Sequence, residues 1–367
     1  MLPEVQPFAS NPTMRTHLRS LLLGLLLLLF LSGQAFAKLA LLLEEPFGTF
    51  GNFNPTGHAA IYLSQVCAES PTELRPCKPG ELGVVLSRYH HVAGYDWLAM
   101  PLLPYLFAVN TISEVPETAD QGMELKLRDG WRRQHLRDLI PDARDGGPPQ
   151  GEWIQLVGAL YDRKIYAFEV ETTAQQDEAL IETFNDKTNR SHFNLFFHNC
   201  ADFARVVLDL YYPGSVRRSY TADLGMTTPK QLAKNLVRYA EHHEQMGLEI
   251  FVLPQVEGSI PRSSQVDGVA EAVLRKKYVI PIAFLQPYCA AGLAVTYFTG
   301  GRFNPSRNAV PLDRADLVAS LFDPHEPTRE EAPARRSLNQ AAKEGGSASP
   351  VSGPAYMSAA TETVPTH

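Results

Sequence analysis

Residues 192–210 read HFNLFFHNCADFARVVLDL, and the way this stretch divides decides the fold. Phe193 to Phe197 is a short apolar run that reads as a strand and leads straight into Asn199-Cys200. From Ala201 to Tyr211 the apolar residues Phe203, Val207, Leu210 and Tyr211 recur at helical spacing, with Cys200 on the same face at the first turn. Cys200 therefore sits at a strand-to-helix junction. The unpaired N–H groups and dipole at a helix N-terminus favour the thiolate, and an imidazolium beside it would hold the thiol at about 3.5 to 7.5. A buried structural thiol is the plainer alternative for a free cysteine.

Outward from this junction the chain alternates strand and helix signals. Leu39 to Leu43 is a short apolar run suited to a buried strand, and His58 to Leu63 (HAAIYL) follows a loop rich in Gly and Asn. Leu82 to Tyr89 and Lys164 to Val170 read as further strands. Trp97 to Val109 is apolar but broken by proline, and 116–150 is a polar insertion with a short helix near 131–138. Gln175 to Thr188 carries Leu180, Ile181 and Phe184 at helical spacing. Thr228-Pro229 opens another helix, Thr as N-cap and Pro at the first helical position, with Leu232, Leu236 and Tyr239 inward.

The ends differ from the body. Leu21 to Leu31 is an uninterrupted apolar run behind Arg15 and Arg19, followed by Ala35-Phe36-Ala37, which together describe a secretory signal peptide over 1–37 cleaved before Lys38. From 323 to 367 Pro, Ser, Ala, Thr and Glu dominate, a composition that cannot bury enough apolar surface to order itself. The expected organisation is a catalytic domain over 38–245 with an insertion near 100–150, an extension over 246–322, and a disordered tail. Export to the periplasm or cell envelope makes a Cys67–Cys77 disulfide the default across a proline-rich loop. With a net charge of -7 there is no basic excess to neutralise phosphates, so no nucleic-acid partner is expected.

Gly57-His58-Ala59-Ala60-Ile61-Tyr62, followed much later by Asn199-Cys200-Ala201-Asp202-Phe203, resembles the circularly permuted papain-like cysteine hydrolases, the branch of the NlpC-type superfamily that includes lecithin–retinol acyltransferase-like proteins. The order His then Cys marks the permuted branch. The resemblance covers roughly 38–211 and implies an α+β fold, an antiparallel sheet with a Cys-bearing helix. It also implies Cys200 as nucleophile, His58 as general base, and a polar third residue on the following strand that orients the imidazole. His90 is the choice for that third residue, with His91, Ser87 and Glu81 as rivals.

Thiolate attack on a carbonyl, with the oxyanion on the Cys200 backbone N–H, would follow. No cofactor is implied, and His90-His91, His198 and His242-His243 lack a metal-binding spacing. Three functions remain: hydrolysis of an amide bond in an envelope peptide such as that of peptidoglycan, which is the first expectation; a lipid acyl hydrolase or acyltransferase; and an idle fold serving as an envelope binding or scaffold protein. Tyr278 to Phe298 is uncharged and long enough to span a bilayer, but Pro281, Gln286 and Pro287 interrupt it. A buried hairpin or helix is the expectation there, with membrane association as the alternative; Cys289 lies within the segment without an assigned role.

Overall fold

The computed structural model describes residues 37–48, 51, 55–90, 92–220, 222–275 and 279–312. The expected leader and tail, and the candidate His91, lie outside the described residues, apart from Ala37. The fold grows from β1 (Ala37–Glu44), whose sequence AKLALLLE has almost no polar alternation. Such a strand must be covered on both faces, and β1 is accordingly the centre of a seven-stranded sheet. It pairs antiparallel with β2 (His58–Leu63), with Leu43 opposite Ala59 and Glu44 opposite His58. A disulfide-bearing hairpin, β3 (Val66–Ser70) and β4 (Glu73–Pro76), follows β2, and the chain then returns to the sheet as β5 (Val84–Ser87) and β6 (Leu98–Pro101).

After β6 come α1 (Leu102–Phe107), the short β7 (Thr118–Ala119), α2 (Gln121–His135) and α3 (Ala159–Asp162). β8 (Ile165–Thr172) then pairs with the free side of β1. Three helices follow: α4 (Ala174–Asn185), α5 (Cys200–Tyr211) and α6 (Pro229–Ala240). β9 (Glu249–Leu253) pairs with β8, β10 (Glu257–Gly258) with β7, and β11 (Val310–Pro311) with β9. Between β10 and β11 lie α7 (Val269–Arg275), α8 (Val279–Leu285) and α9 (Pro287–Thr296), the last running into a π turn at Tyr297–Gly301. The sheet order is β11-β9-β8-β1-β2-β5-β6, antiparallel throughout except for the β11–β9 edge. The protein is thus a mixed α/β fold built on a mostly antiparallel sheet.

One core holds the site helix to the sheet. Leu39, Leu41 and Leu43 of β1 and Ala59 and Ile61 of β2 cluster with Phe203 and Val207 of α5 and Leu232 and Leu236 of α6. These odd-numbered strand positions share a face because strand side chains alternate. The even positions Leu42 and Ala60 are buried as well, against the other side.

Several boundaries differ from the sequence reading, each for a local reason. Phe193 to Phe197 is a turn and not a strand. Asn194 Oδ1 accepts the N–H groups of Phe196 and Phe197, and Asn194 and His198 exchange backbone hydrogen bonds around it. Such an Asx turn displaces a strand. On α5, Leu208 is buried where Leu210 was expected, and Leu210 faces water. The helix expected near 131–138 begins ten residues earlier, at Gln121, because Asp120 caps it by accepting the Met123 N–H at 2.8 Å.

The segment expected to be a buried hairpin or helix is helical but exposed, and neither of its helices is long enough to span. It is two short helices broken at Gln286, with most of its large side chains exposed. Among the described residues no helix is long and apolar enough to cross a membrane.

The Cys67 and Cys77 sulfurs are bonded, closing the β3–β4 hairpin. The hairpin also packs inward: Leu74 is buried, and the Asn185 side chain clamps its N–H and carbonyl at 3.0 and 2.8 Å. Replacing both cysteines by serine is expected to cost about 3 kcal/mol, the chain-entropy value for so short a loop. Urea unfolding of the two proteins, oxidised and reduced, measures it.

Candidate active site

The N-terminus of α5 is fixed before any chemistry is considered. Asn199 caps it, its Oδ1 accepting the Asp202 N–H at 2.9 Å, while Asp202 Oδ2 accepts the Asn199 N–H at 3.4 Å in a reciprocal capping box. Asn199 Nδ2 donates to the carbonyls of Leu195 (2.8 Å) and Thr227 (3.2 Å), tying the turn before Cys200 to the loop before α6. From the end of β5, Arg88 donates to the Asn199 carbonyl at 3.2 Å. Arg88 is itself held by a two-point contact with Asp96, at 2.8 and 2.9 Å. Arg218 and the Thr227 hydroxyl both donate to Asp202 Oδ1, at 2.6 and 2.7 Å.

Cys200, the first residue of the helix, is a free thiol and 9% exposed. Its sulfur lies against the backbone N–H groups of Ala59 and Ala201. These donors favour the thiolate, but burial outweighs them and the Glu44 carboxylate adds to it, so the thiol is pushed up to about 11. The depressed value expected from the helix terminus is not what the site provides. The reason is desolvation, together with a partner imidazole that carries no charge.

That imidazole is His58, the first residue of β2 and also 9% exposed. Gly57 before it turns the chain at φ 71°, and a Cβ there would stand 2.1 Å from the Glu44 carbonyl oxygen, so only glycine fits. The ring stacks on Tyr89 at 5.2 Å between centroids, and its Nε2 is 2.8 Å from Ser87 Oγ. The Ser87 hydroxyl also lies 2.8 Å from the Ala59 carbonyl, which can only accept. A hydroxyl has one proton, and here it goes to Ala59. Ser87 Oγ must then accept from His58, which puts the ring proton on Nε2 and leaves Nδ1 as a bare acceptor. Burial, with the positive charge of Arg163 behind it, pushes His58 down to about 3, so the ring is neutral at physiological pH. Glu44, opposite His58 on β1, neutralises Arg163 through a 2.8 Å contact and accepts the Tyr105 hydroxyl.

The structure therefore brings the Cys200 sulfur from α5 to the N–H of Ala59, the residue after His58 on β2, with no hydrogen bond between the Cys200 and His58 side chains among the described contacts. It sets Ser87, one of the four candidates, on the imidazole. His90 is exposed and meets the edge of Phe193 at 5.1 Å, and Glu81 is taken by Arg75 at 2.7 Å. A cavity of about 270 Å³ opens between Tyr89, Tyr95 and the 190–193 segment, touching the residue on which His58 stacks. Among the described residues the one His, Cys, Asp and Glu grouping close enough to hold an ion is Cys67, Cys77 and Glu81, where the two sulfurs are bonded to each other.

Three contributors escaped the sequence reading. Arg88 and Thr227 hold the helix end through long-range contacts with no sequence signature. Asp202, three residues after Asn199, carried a signal in its capping-box spacing. The chain matches no family model, no curated protein and no solved structure.

The two displaced ionisations give stability a defined pH dependence. His58 titrates near its ordinary 6.5 when unfolded and about 3 when folded. Unfolded chain then binds the proton first, so stability falls as pH drops from about 6.5 towards 3, by several kcal/mol from this group. Cys200 acts in the opposite direction, losing stability as pH rises from its ordinary 9.0 towards 11. Thermal melts from pH 3 to 10 should show both slopes, and His58→Gln should flatten the acid one while Cys200→Ala flattens the alkaline one.

Proposed function

We propose that the protein is an exported thiol hydrolase with the permuted papain-like arrangement, in which Cys200 is the nucleophile, His58 the base and Ser87 the residue that orients the ring. The observation that carries this reading is the pair of 2.8 Å contacts that Ser87 Oγ makes with His58 Nε2 and with the Ala59 carbonyl. Because the hydroxyl proton is committed to the Ala59 carbonyl, the imidazole keeps its proton on Nε2 and offers Nδ1 to a thiol beside it.

Both groups start neutral, so the proton leaves sulfur for Nδ1 as the sulfur attacks, and no ion pair precedes the reaction. The C–S bond forms while the carbonyl becomes an oxyanion, held by the Cys200 backbone N–H, which as a first-turn donor has no intrahelical acceptor. Collapse of the intermediate breaks the bond to the leaving group, which takes the proton from Nδ1. Water then attacks the acyl-cysteine, gives its proton to Nδ1, and the thiol is restored. The net reaction adds one water across the acyl bond.

An amide bond in an envelope peptide is the substrate favoured by the leader and by the family resemblance. A lipid acyl bond is the second reading. The observation behind it is the exposed Leu195, Phe196 and Phe197, which form the turn directly before Asn199 and Cys200.

The test uses a Cys289→Ser background, which removes the exposed thiol. An activated acyl ester should acylate Cys200, detected by mass spectrometry of the intact protein. His58→Ala should slow acylation by roughly 10²- to 10⁴-fold, the worth of a positioned general base, and Ser87→Ala should slow it less. Unchanged acylation in His58→Ala, or none in the parent, would leave only the binding-protein reading. Turnover of muropeptides against phospholipids then separates the two substrate classes.

A further inference from the structure

Residues 279–301 form a surface that the chemistry of Cys200 and His58 does not use. α8 and α9 carry Ile280, Phe284, Leu285, Tyr288 and Val295 outward, and the π turn adds Phe298; Phe284 is 88% and Tyr288 90% exposed. Single exposed apolar residues are ordinary, but a run of large ones in one short segment marks a contact surface. The helices have 7 and 10 residues, far from the ~20 that span a bilayer. A pair this short, broken by Gln286 and Pro287, has the dimensions to lie in an interface and not to cross it.

Charge identifies the partner. The sequence from 272 to 312 holds five basic residues and no Asp or Glu in a chain whose net charge is -7; Arg275 is paired with Asp267 at 2.7 Å, while Arg302 and Arg307 are exposed. Arg302, exposed, lies over the Phe298 ring at 5.9 Å, at the very edge of the apolar stretch. Basic residues flanking an apolar segment complement phosphate headgroups above acyl chains. A second copy of this chain would bring the same positive charge and is disfavoured as the occupant.

The helix that precedes this surface, α7, and the segment leading into it are also tied to both halves of the site. On the segment leading into α7 the Asp267 N–H donates to the Pro55 carbonyl, just before Gly57 and His58, at 2.9 Å. From α7 itself the Val269 N–H donates to Asp223 at 3.0 Å and the Ala270 N–H to the Ala222 carbonyl at 3.1 Å. That loop continues to Thr227, whose carbonyl and hydroxyl hold Asn199 and Asp202.

We propose that residues 279–301, with Arg302 and Arg307 beside them, dock the protein on an anionic lipid surface, Phe284, Leu285, Tyr288 and Phe298 entering the headgroup boundary. This docking does not depend on the role of Cys200, and a Cys200→Ala protein docks equally.

The full chain is floated with vesicles of phosphatidylcholine alone or with a third of phosphatidylglycerol. Binding should favour the anionic vesicles by roughly tenfold or more and weaken with salt. A dye on Cys289, which is exposed while Cys200 is buried, should shift to the blue on those vesicles only. Phe284→Asp with Tyr288→Asp should abolish both signals with an unchanged melting temperature. Arg302→Gln with Arg307→Gln, which removes charge and leaves every apolar side chain of the patch in place, should reduce anionic binding and leave neutral vesicles unaffected. The proposal is overturned if neither vesicle binds. It is equally overturned if binding survives the Asp substitutions, which would assign it to the Leu-rich N-terminus, or if those substitutions only dissolve a dimer.

Discussion

The N-terminus of α5 depends on one side chain, Asn199. Its amide oxygen closes the first turn of the helix, its amide nitrogen joins the turn before Cys200 to the loop before α6, and its carbonyl receives Arg88 from the sheet. Three separate stretches of chain, near 88, 195 and 227, therefore meet at a single residue. The position of the Cys200 sulfur against β2 is a consequence of that meeting. A capped helix end satisfies N–H groups that would otherwise need water, so the same contacts that locate the thiol also let it be buried. Burial in turn decides its protonation. The site is built around a neutral thiol because the helix end is sealed, and the dipole of the helix is too small a term to reverse that.

The imidazole shows the same balance between position and charge. His58 is placed by Gly57 and by the β1–β2 register, and its tautomer by Ser87. Arg163, whose charge would repel an imidazolium, is matched by the buried Glu44. This arrangement favours a base that receives a proton only while a bond is being made, since neither ion is stable beforehand. The thiol chemistry proposed above is accordingly of the general-base kind, its reactivity arising as an acyl group arrives and not in the resting site.

Much of this could be read in the sequence, and the exceptions have physical causes. HAAIYL gave β2 with its true ends, Thr228-Pro229 gave the start of α6, and the spacing of Phe203, Val207 and Tyr211 gave α5, because each rests on local pattern. The orienting residue read from the sequence was His90, whereas Ser87 lies on the imidazole. β5 reaches its register with β2 only after the β3–β4 hairpin, and the strand ends at Ser87, so alternation no longer governs Tyr89 and His90. The apolar run 193–197 imitated a strand because its residues are large and apolar; one amide side chain, Asn194, turned it outward. The protonation of Cys200 was misjudged for a related reason, since the sequence reveals a helix terminus but not how deeply that terminus is covered.

The central strand of the sheet is also the first among the described residues. β1 has β2 for one neighbour almost at once, but its other neighbour, β8, arrives about 120 residues later (Glu44 opposite Ile165), which makes closure of the sheet a distant, slow event. A hairpin of two strands alone is marginal in water. The centre of the sheet therefore cannot close until Thr172 has been made, nearly half of the 367-residue chain.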